Sequence, residues 1–216
     1  MSHTTPVIIA DDHPLFRTAL KQAVEQCIQG VEILEADSIG TLLTLIDKNP
    51  SVELVFLDLH IPGNQGYTGL LQVRNHHPDL TVIMVSSDST PLIMQRAIKL
   101  GAAAFIPKAA DLKIIEEAIA VVLSGQTWLP DGCAEVVSDQ ESHQLAKIAN
   151  QLAHLTPQQY VVLSRIADGQ LNKQIAFDLD IKETTVKKHV SAILTKLEVN
   201  NRTLAGMAFQ KVKMTH

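Results

Sequence analysis

Three carboxylates follow two short apolar runs, at positions where a strand would end and leave them accessible. Asp58 ends the nearly unbroken apolar run 52–58, and Asp11 and Asp12 follow the run 7–10. Such runs are typical of strands buried on both faces of a parallel sheet, and ligands bind beyond the carboxyl ends of these strands. Three carboxylates at one edge repel one another unless a cation neutralises them, and a hard divalent ion with oxygen ligands suits them best.

A hydroxyl and an ammonium group are predicted at the same edge. Ser86 follows the apolar run 81–85, and Lys108 follows the run 104–107. The parallel arrangement that gathers the carboxylates also brings these two side chains to them. The edge therefore combines carboxylates, a hydroxyl and an ammonium group.

The elements that position these groups follow from the alternation of short apolar runs and amphipathic stretches, which is typical of repeated strand–helix units. The predicted strands lie near 6–10, 31–36, 52–58, 81–85 and 103–106. The predicted helices lie near 14–27, 38–48, 66–76, 89–100 and 111–124. Right-handed crossovers then favour an α/β fold, a doubly wound five-stranded parallel sheet with helices on both faces.

The charge of the chain is unevenly distributed, although its net value is only −5. Residues 1–124 carry 14 acidic and 8 basic side chains, residues 125–150 carry 4 and 1, and residues 151–216 carry 5 and 9. With 46% apolar residues in 216, two small domains are expected. The basic carboxyl-terminal part indicates a nucleic-acid partner.

Neither a signal peptide nor an apolar run of membrane-spanning length is present in the sequence. We therefore expect a soluble, cytoplasmic protein without a membrane partner. Cys27 and Cys133 lie far apart without metal-ligand spacing, so they are interpreted as ordinary reduced thiols.

Residues 125–150 are predicted to be a linker that separates a domain at 1–124 from one at 151–216. Glycines and prolines interrupt the pattern at its start, and apolar residues then recur at helical spacing: Leu145, Ile148, Ala149 and Leu152. The linker should therefore end in a helix. Trp128, the only tryptophan, is expected to pack at a seam between domains.

The part from residue 151 shows only helical periodicity, which predicts a small all-α domain of four helices. Thr156 and Pro157 should open the first helix, and Asn172 should open the second. The third is predicted at 183–197 and the fourth at 201–213.

The third helix has one apolar face, formed by Val186, Val190, Ile193, Leu194 and Leu197. Its outer face is polar and basic, formed by Thr184, Lys187, Lys188, Ser191 and Thr195. This is the helix-turn-helix plan, in which the second helix enters the major groove.

Three motifs resemble the receiver domain of bacterial response regulators, and the resemblance covers about residues 5–124. They are Asp-Asp-His-Pro-Leu-Phe-Arg (11–17), Asp-Leu-His-Ile-Pro-Gly (58–63) and Gly-Ala-Ala-Ala-Phe-Ile-Pro-Lys (101–108). The resemblance implies a flavodoxin-like sheet and a phosphoryl group accepted by Asp58. It implies Mg²⁺ held by Asp11, Asp12, Asp58 and the backbone carbonyl of His60. It also implies that Lys108 pairs with the phosphoryl group and that Ser86 and Phe105 act as the switch. Ile61 departs from the methionine that is usual in the family.

Three further stretches, 155–163, 172–176 and 185–190, resemble the DNA-binding domain of LuxR/NarL regulators, so the whole chain resembles a NarL/FixJ-type response regulator. The implied DNA contacts involve Lys173, Lys182, Thr184, Thr185, Lys187, Lys188 and Ser191. The implied dimer face lies on the fourth helix, at Asn201, Leu204, Ala205 and Ala208. Gln159 stands where the family commonly has Glu, and Lys182 where it commonly has Ser or Thr.

The resemblance implies a transcriptional regulator that is controlled by phosphorylation and is not an enzyme. Its expected partners are a sensor histidine kinase, double-stranded operator DNA, a second copy of the chain and, as a further candidate, RNA polymerase.

Simpler or different explanations stay open at this point. A strand-end aspartate is often only a turn or cap residue, and Asp11 and Asp12 could cap the helix that begins near Pro14. His13 and His60 are interpreted as structural or solvent-facing, because an all-oxygen magnesium site does not favour imidazole. A phosphohydrolase with an aspartate nucleophile is disfavoured, since it needs a second aspartate two positions later, where the chain has these histidines. A regulator that takes no phosphate would lack a site residue, and none is lacking.

Overall fold

The computed structural model describes residues 5–64, 66–133, 144, 147–148, 150–152 and 154–213. The chain forms two compact units, Met1–Ser142 and His143–His216. Within the described residues, every helix is too short or too polar to cross a membrane.

The first unit is a five-stranded parallel sheet with strand order β2-β1-β3-β4-β5. Its strands are β1 (Thr5–Ala10), β2 (Val31–Ala36), β3 (Leu54–Asp58), β4 (Thr81–Ser86) and β5 (Ala104–Pro107). Its helices are α1 (Pro14–Cys27), α2 (Ile39–Lys48), α3 (Thr68–His76), α4 (Pro91–Lys99) and α5 (Leu112–Leu123). The predicted α/β doubly wound fold is confirmed.

The central strands are buried on both faces, which explains their continuous apolar sequences. Every residue of β3 is buried, and in β1 the successive side chains of Val7, Ile8 and Ile9 are all inaccessible to solvent. Because side chains alternate between the faces of a strand, such burial requires packed helices on both sides of the sheet. The sequence of β3 therefore places Asp58 at the point where the core ends.

Several helices begin one or two residues later than the sequence pattern predicts, because their cap residues keep an extended backbone. Ser38 accepts a hydrogen bond from the backbone N–H of Thr41, and Asp111 accepts one from that of Ile114. Both are N-caps, outside the helices that they begin. Similarly, β3 starts at Leu54 because Val52 forms a turn, donating its N–H to the carbonyl of Asn49.

Trp128 packs within the first unit, and its expected place at a seam between domains stays a prediction. It is buried in the core of the first unit and pairs with Ala104 of β5 in a single parallel bridge. Its backbone N–H donates to the carbonyl of Ala103, and its indole Nε1–H donates to the carboxylate of Glu117. The chain after α5 thus covers the outer edge of β5, which protects that edge from other strands.

The second unit is helical, as predicted. Its helices are α6 (Pro157–Ala167), α7 (Asn172–Asp178), α8 (Glu183–Lys196) and α9 (Arg202–Lys213). They are preceded by helical residues at 144, 147–148 and 150–152. Of the residues predicted on this preceding helix, Ile148 and Leu152 are buried, whereas Leu145 and Ala149 lie outside the described residues.

Two local features define where these helices begin and turn. The start of α6 is a capping box, in which the Thr156 hydroxyl accepts from the Gln159 N–H and the Gln159 side chain accepts from the Thr156 N–H. Glutamine therefore replaces the family's glutamate without loss of the cap. Between α7 and α8, Asp180 has a left-handed backbone with φ 51°, which aspartate tolerates better than most residues.

The core of the second unit joins α6, α8 and α9. Tyr160 and Phe209 meet edge to face, with ring centroids 5.3 Å apart, and Val186 and Ile193 of α8 are fully buried. The buried side of α8 thus matches its predicted apolar face and fixes which side chains point outwards.

We expect Thr156→Ala to destabilise α6 by about 1 kcal/mol, because the Gln159 N–H loses its partner. Hydrogen exchange of the buried amides of Leu163 and Ile166 should become roughly fivefold faster. Gln158→Ala, at an exposed position of the same helix, is the matched control and should leave the exchange nearly unchanged. Equal exchange in the Thr156 variant and the parent would contradict the capping role.

Candidate functional site

The order of the strands brings four predicted site residues together. Asp11 directly follows β1, Asp58 ends β3, Ser86 ends β4 and Lys108 directly follows β5. These strands are consecutive neighbours in the sheet, so their carboxyl ends lie side by side. The site is therefore a property of the topology, assembled from residues nearly 100 positions apart.

One ammonium group bridges the two buried carboxylates of this edge. The Lys108 Nζ lies 2.6 Å from Asp11 Oδ2 and 2.8 Å from Asp58 Oδ2, and both carboxylates are almost inaccessible to solvent. Backbone groups hold the opposite oxygens: the N–H of His13 donates to Asp11 Oδ1 at 2.6 Å, and the N–H of His60 donates to Asp58 Oδ1 at 3.1 Å. Each carboxylate thus has one oxygen fixed by the backbone and one facing the lysine.

Lys108 is itself held in place from several sides. Its backbone N–H donates to the Ser86 carbonyl at 2.8 Å, which joins it to β4. Its ammonium lies 5.3 Å from the centre of the Phe16 ring, a cation–π distance. The sequence pattern assigns no role to Phe16, although this residue falls within the Asp-Asp-His-Pro-Leu-Phe-Arg motif.

His13 belongs to the carboxylate cluster, so its interpretation as merely structural or solvent-facing is incomplete. Its imidazole is 60% exposed, yet Nδ1 lies 2.8 Å from Asp12 Oδ1, 3.4 Å from Asp11 Oδ1 and 3.8 Å from Asp58 Oδ2. It is the N-cap of α1, but its side chain makes no capping hydrogen bond. His60 differs, because its exposed side chain stands outside the cluster that the described residues form.

The donor set of the cluster fits a hard divalent cation. Asp11, Asp12, His13 and Asp58 each offer one ligand atom, and these atoms lie within 4.8 Å of one another. Three of the four are carboxylate oxygens, which such cations prefer. Asp12 is 35% exposed, so the cluster is open to solvent on its side.

The two predicted switch residues are both buried. The Ser86 hydroxyl accepts a hydrogen bond of 3.1 Å from the Asp88 N–H, which joins it to the loop before α4. Phe105 is fully buried beside Met84 of β4, so its ring is already inside the fold.

Tyr67 provides a second connection to α4 that the sequence did not reveal. Its hydroxyl donates to the carbonyl of Ile93 at 2.7 Å, and burial raises the pKa of this phenol above its ordinary value. The phenol therefore stays protonated as a donor. The segment after Asp58 and the helix after Ser86 are held together by this bond.

In the second unit, the predicted DNA-contacting residues are mostly accessible. Thr185 is half-buried, and the others are exposed: Lys173, Lys182, Thr184, Lys187, Lys188 and Ser191. Lys182 is the N-cap of α8 and makes no capping hydrogen bond. The Lys187 ammonium lies 3.0 Å from the carboxylate of Glu183, one turn earlier on the helix.

One of the four predicted dimer residues is not at the surface. Ala205 is fully buried, because it lies on the side of α9 that packs into the core of the second unit. Asn201 is exposed and accepts a hydrogen bond of 2.9 Å from the Leu204 N–H, so it also caps α9. Leu204 is 43% exposed, and Ala208 is half-buried. Met207, which the sequence prediction omitted, is 56% exposed and lines a groove of about 560 Å³ along α9.

Two family models match the chain. Residues 7–120 match the response regulator receiver domain, and residues 153–208 match the luxR family of bacterial regulatory proteins. The first match covers the sheet and its site, and the second covers α6–α8 and part of α9.

Curated relatives and solved structures match nearly the whole length. The chain is 38% identical to the glycerol metabolism activator of Pseudomonas putida, over 97% of this chain and 96% of the relative. It is 30% identical to a nitrate/nitrite response regulator homolog of Haemophilus influenzae, over 97% of this chain and 98% of the relative. The RcsB response regulator of Salmonella enterica is similar in fold, with a TM-score of 0.55 and 24% identity. The similarity covers 97% of this chain and 100% of the RcsB chain, which was solved bound to promoter DNA in the presence of the phosphomimetic BeF₃⁻.

The receiver match, the luxR-family match and the full-length relatives agree with the sheet-edge site and the helix-turn-helix. The chain therefore belongs to the NarL/FixJ-type response regulators, which are phosphorylation-controlled, DNA-binding regulators of transcription.

Proposed function

We propose that Asp58 accepts a phosphoryl group from a sensor histidine kinase and that this modification controls binding of a homodimer to double-stranded operator DNA. The observation that supports this most directly is the position of Asp58 at a strand end, 2.8 Å from Lys108 and beside two further carboxylates. In this proposal residues 1–124 receive the signal, residues 151–216 bind DNA and residues 125–150 link them.

Asp58 is suited to act as the nucleophile. Its Oδ1 accepts from the His60 backbone, which orients the carboxylate, while Oδ2 faces the lysine. Attack of an Asp58 oxygen on a phosphohistidine forms the new P–O bond as the P–N bond to the kinase breaks. Since phosphoryl transfer requires charge neutralisation more than covalent help, the Lys108 ammonium then pairs with the phosphoryl oxygens.

Receiver domains typically bind Mg²⁺ at an acidic pocket, and the donor set here fits that ion. Asp11, Asp12 and Asp58 would hold it, together with the backbone carbonyl of His60. When bound, the ion would neutralise negative charge on the phosphoryl oxygens. Asp11 and Asp12 would orient the site from the β1 side, opposite Ser86.

Ser86 connects the phosphorylation site to the rest of the receiver. Its hydroxyl accepts from the Asp88 N–H, and a phosphoryl group on Asp58 would offer this hydroxyl a charged acceptor instead. Turning towards the phosphoryl group would release the loop before α4, with Phe105 filling the space behind. A switch of this kind requires two states that the modification stabilises to different extents.

The outer face of α8 is suited to enter the major groove. Lys187, Lys188 and Ser191 would contact bases and nearby phosphates, whereas Thr184 and Thr185 would position the backbone. Lys173 and Lys182 would bind phosphates from the ends of α7 and α8. The excess of basic residues in 151–216 supports an interaction whose strength depends on salt.

Dimerisation on DNA would use the exposed side of α9. Leu204 and Met207 expose apolar surface there, next to Asn201 and Ala208. Ala205 is excluded from this face by its burial. One of the structures similar to this chain contains RcsB dimers bound to DNA, which supports the same assembly here.

Phosphorylation should depend on Asp58. With a small-molecule phosphodonor and magnesium, the parent chain should gain one phosphoryl group by mass spectrometry, whereas Asp58→Asn should gain none. Asp79→Asn, at the opposite end of the sheet, is the matched control and should behave like the parent. A gain that persists in Asp58→Asn, or that is equal without magnesium, would exclude this site.

Lys187 and Lys188 should differ in their contribution to specificity. Loss of a phosphate contact weakens binding to all sequences and reduces the salt slope by about one, whereas loss of a base contact costs about 1–3 kcal/mol on the operator alone. Alanine variants of each should show one of these patterns when operator and random DNA are compared at several salt concentrations. Lys48→Ala, at the exposed end of α2 in the first unit, is the control. If neither variant changes either affinity, α8 is not the DNA-reading helix.

Lys182→Ser should stabilise the free second unit and weaken DNA binding. Serine can accept a hydrogen bond from the first turn of α8 and removes a positive charge from the positive end of the helix dipole, which stabilises by about 0.5–2 kcal/mol. Thermal melts should show the gain, and DNA binding should be weaker with a smaller salt slope. An unchanged melting temperature would show that the cap is not limiting, and unchanged binding would show that Lys182 contacts no phosphate.

A further inference from the structure

Among the described residues that form the carboxylate cluster, His13 is the one that offers a nitrogen atom as a possible metal ligand. The proposed phosphoryl chemistry assigns it no role. Its Nδ1 is nearest to Asp12 at 2.8 Å, then to Lys108 at 3.1 Å and Asp11 at 3.4 Å, and most distant from Asp58 at 3.8 Å. The imidazole therefore lies nearest to Asp12 and to the Lys108 ammonium, on the side of the cluster that Asp12 leaves open to solvent.

The distances from this imidazole to the carboxylates are compatible with those between ligand atoms on one ion. Ligands on one ion at about 2.1 Å are roughly 3 Å apart when adjacent and roughly 4 Å apart when opposite. The three distances from Nδ1 to the carboxylates, 2.8, 3.4 and 3.8 Å, fall in or beside this range. Coordination requires the lone pair on Nδ1 and the hydrogen on Nε2, and the 60% exposure of the ring lets Nε2–H bond to water.

We propose that His13 Nδ1 is a ligand of this metal site and determines its ion selectivity. Mg²⁺ prefers oxygen ligands and keeps several waters, so it gains little from an imidazole. Ions such as Co²⁺ and Ni²⁺ bind imidazole well, so they gain a ligand that an all-carboxylate site lacks. The site is then a mixed nitrogen–oxygen centre that accepts transition-metal ions in addition to Mg²⁺.

This inference rests on the proposed metal site, and a simpler role for His13 is distinguishable from it. If Nδ1–H only donated to Asp12, His13 would orient one carboxylate, and its loss would weaken all divalent ions alike. If Nδ1 is a ligand, its loss weakens only the ions that favour nitrogen. The ratio of Ni²⁺ to Mg²⁺ affinity therefore separates the two roles.

The experiment measures binding of Ni²⁺ and of Mg²⁺ to the full chain by titration calorimetry, after treatment with a chelator. In His13→Ala the Ni²⁺ affinity should fall by roughly tenfold or more, the scale on which even outer-shell partners act. The Mg²⁺ affinity should change much less. His76→Ala, which removes an exposed histidine at the end of α3, controls for binding of Ni²⁺ to surface histidines and should match the parent.

A spectroscopic measurement gives a second test. Paramagnetic Co²⁺ should shift the ring signals of His13, identified by their absence in His13→Ala, and excess Mg²⁺ should reverse the shift if both ions share the site. Equal losses of Ni²⁺ and Mg²⁺ affinity, or no loss of either, would overturn the inference. Asp12→Asn separates the two levels of the proposal. If it weakens both ions while His13→Ala weakens neither, only the role of His13 fails, and if it weakens neither ion, the metal site itself fails.

Discussion

The ion pairs of Lys108 with two buried carboxylates are the interaction on which the organisation of the first unit depends. Each buried ion costs several kcal/mol of desolvation, so Asp11 and Asp58 are tolerated only because a cation reaches both. Since the lysine comes from the end of β5 and the carboxylates from β1 and β3, the compensation requires the ends of these three strands to meet at one edge. A sheet that separated these strand ends would leave the two carboxylates without their cation, so topology and site chemistry depend on each other.

Much of the fold could be predicted because the sheet is buried on both faces. Continuous apolar runs place the strands within two residues of their observed limits, and strand ends fix where Asp58 and Lys108 must lie. Helix starts were less accurate, since cap residues such as Ser38 and Asp111 belong to the helix by hydrogen bonding but not by backbone conformation. The pairing of Trp128 with β5 could not be predicted, because a bridge of one residue has no periodicity.

The sequence could predict where the candidate site lies in the fold, but it could not predict every residue that belongs to it. The sequence places His13 next to Asp12, yet the direction of its imidazole depends on how α1 begins, and chemical preference alone argued against it. Ala205 was assigned to a surface because a small apolar residue suits a dimer face as well as a core, and only the rotation of α9 decides between them. Met207 was missed for the same reason.

If α8 reads DNA as proposed, its ion pair between Glu183 and Lys187 acts as a tethered counter-ion. A dissolved anion that neutralises a lysine diffuses away when DNA binds, but this carboxylate stays one helical turn away and competes for the ammonium at every encounter. The long-range attraction of the helix is therefore weaker than its number of lysines implies. On this proposal, a phosphate or base would have to bind Lys187 better than Glu183 does, so the lysine would favour well-fitted complexes over loose, purely electrostatic ones.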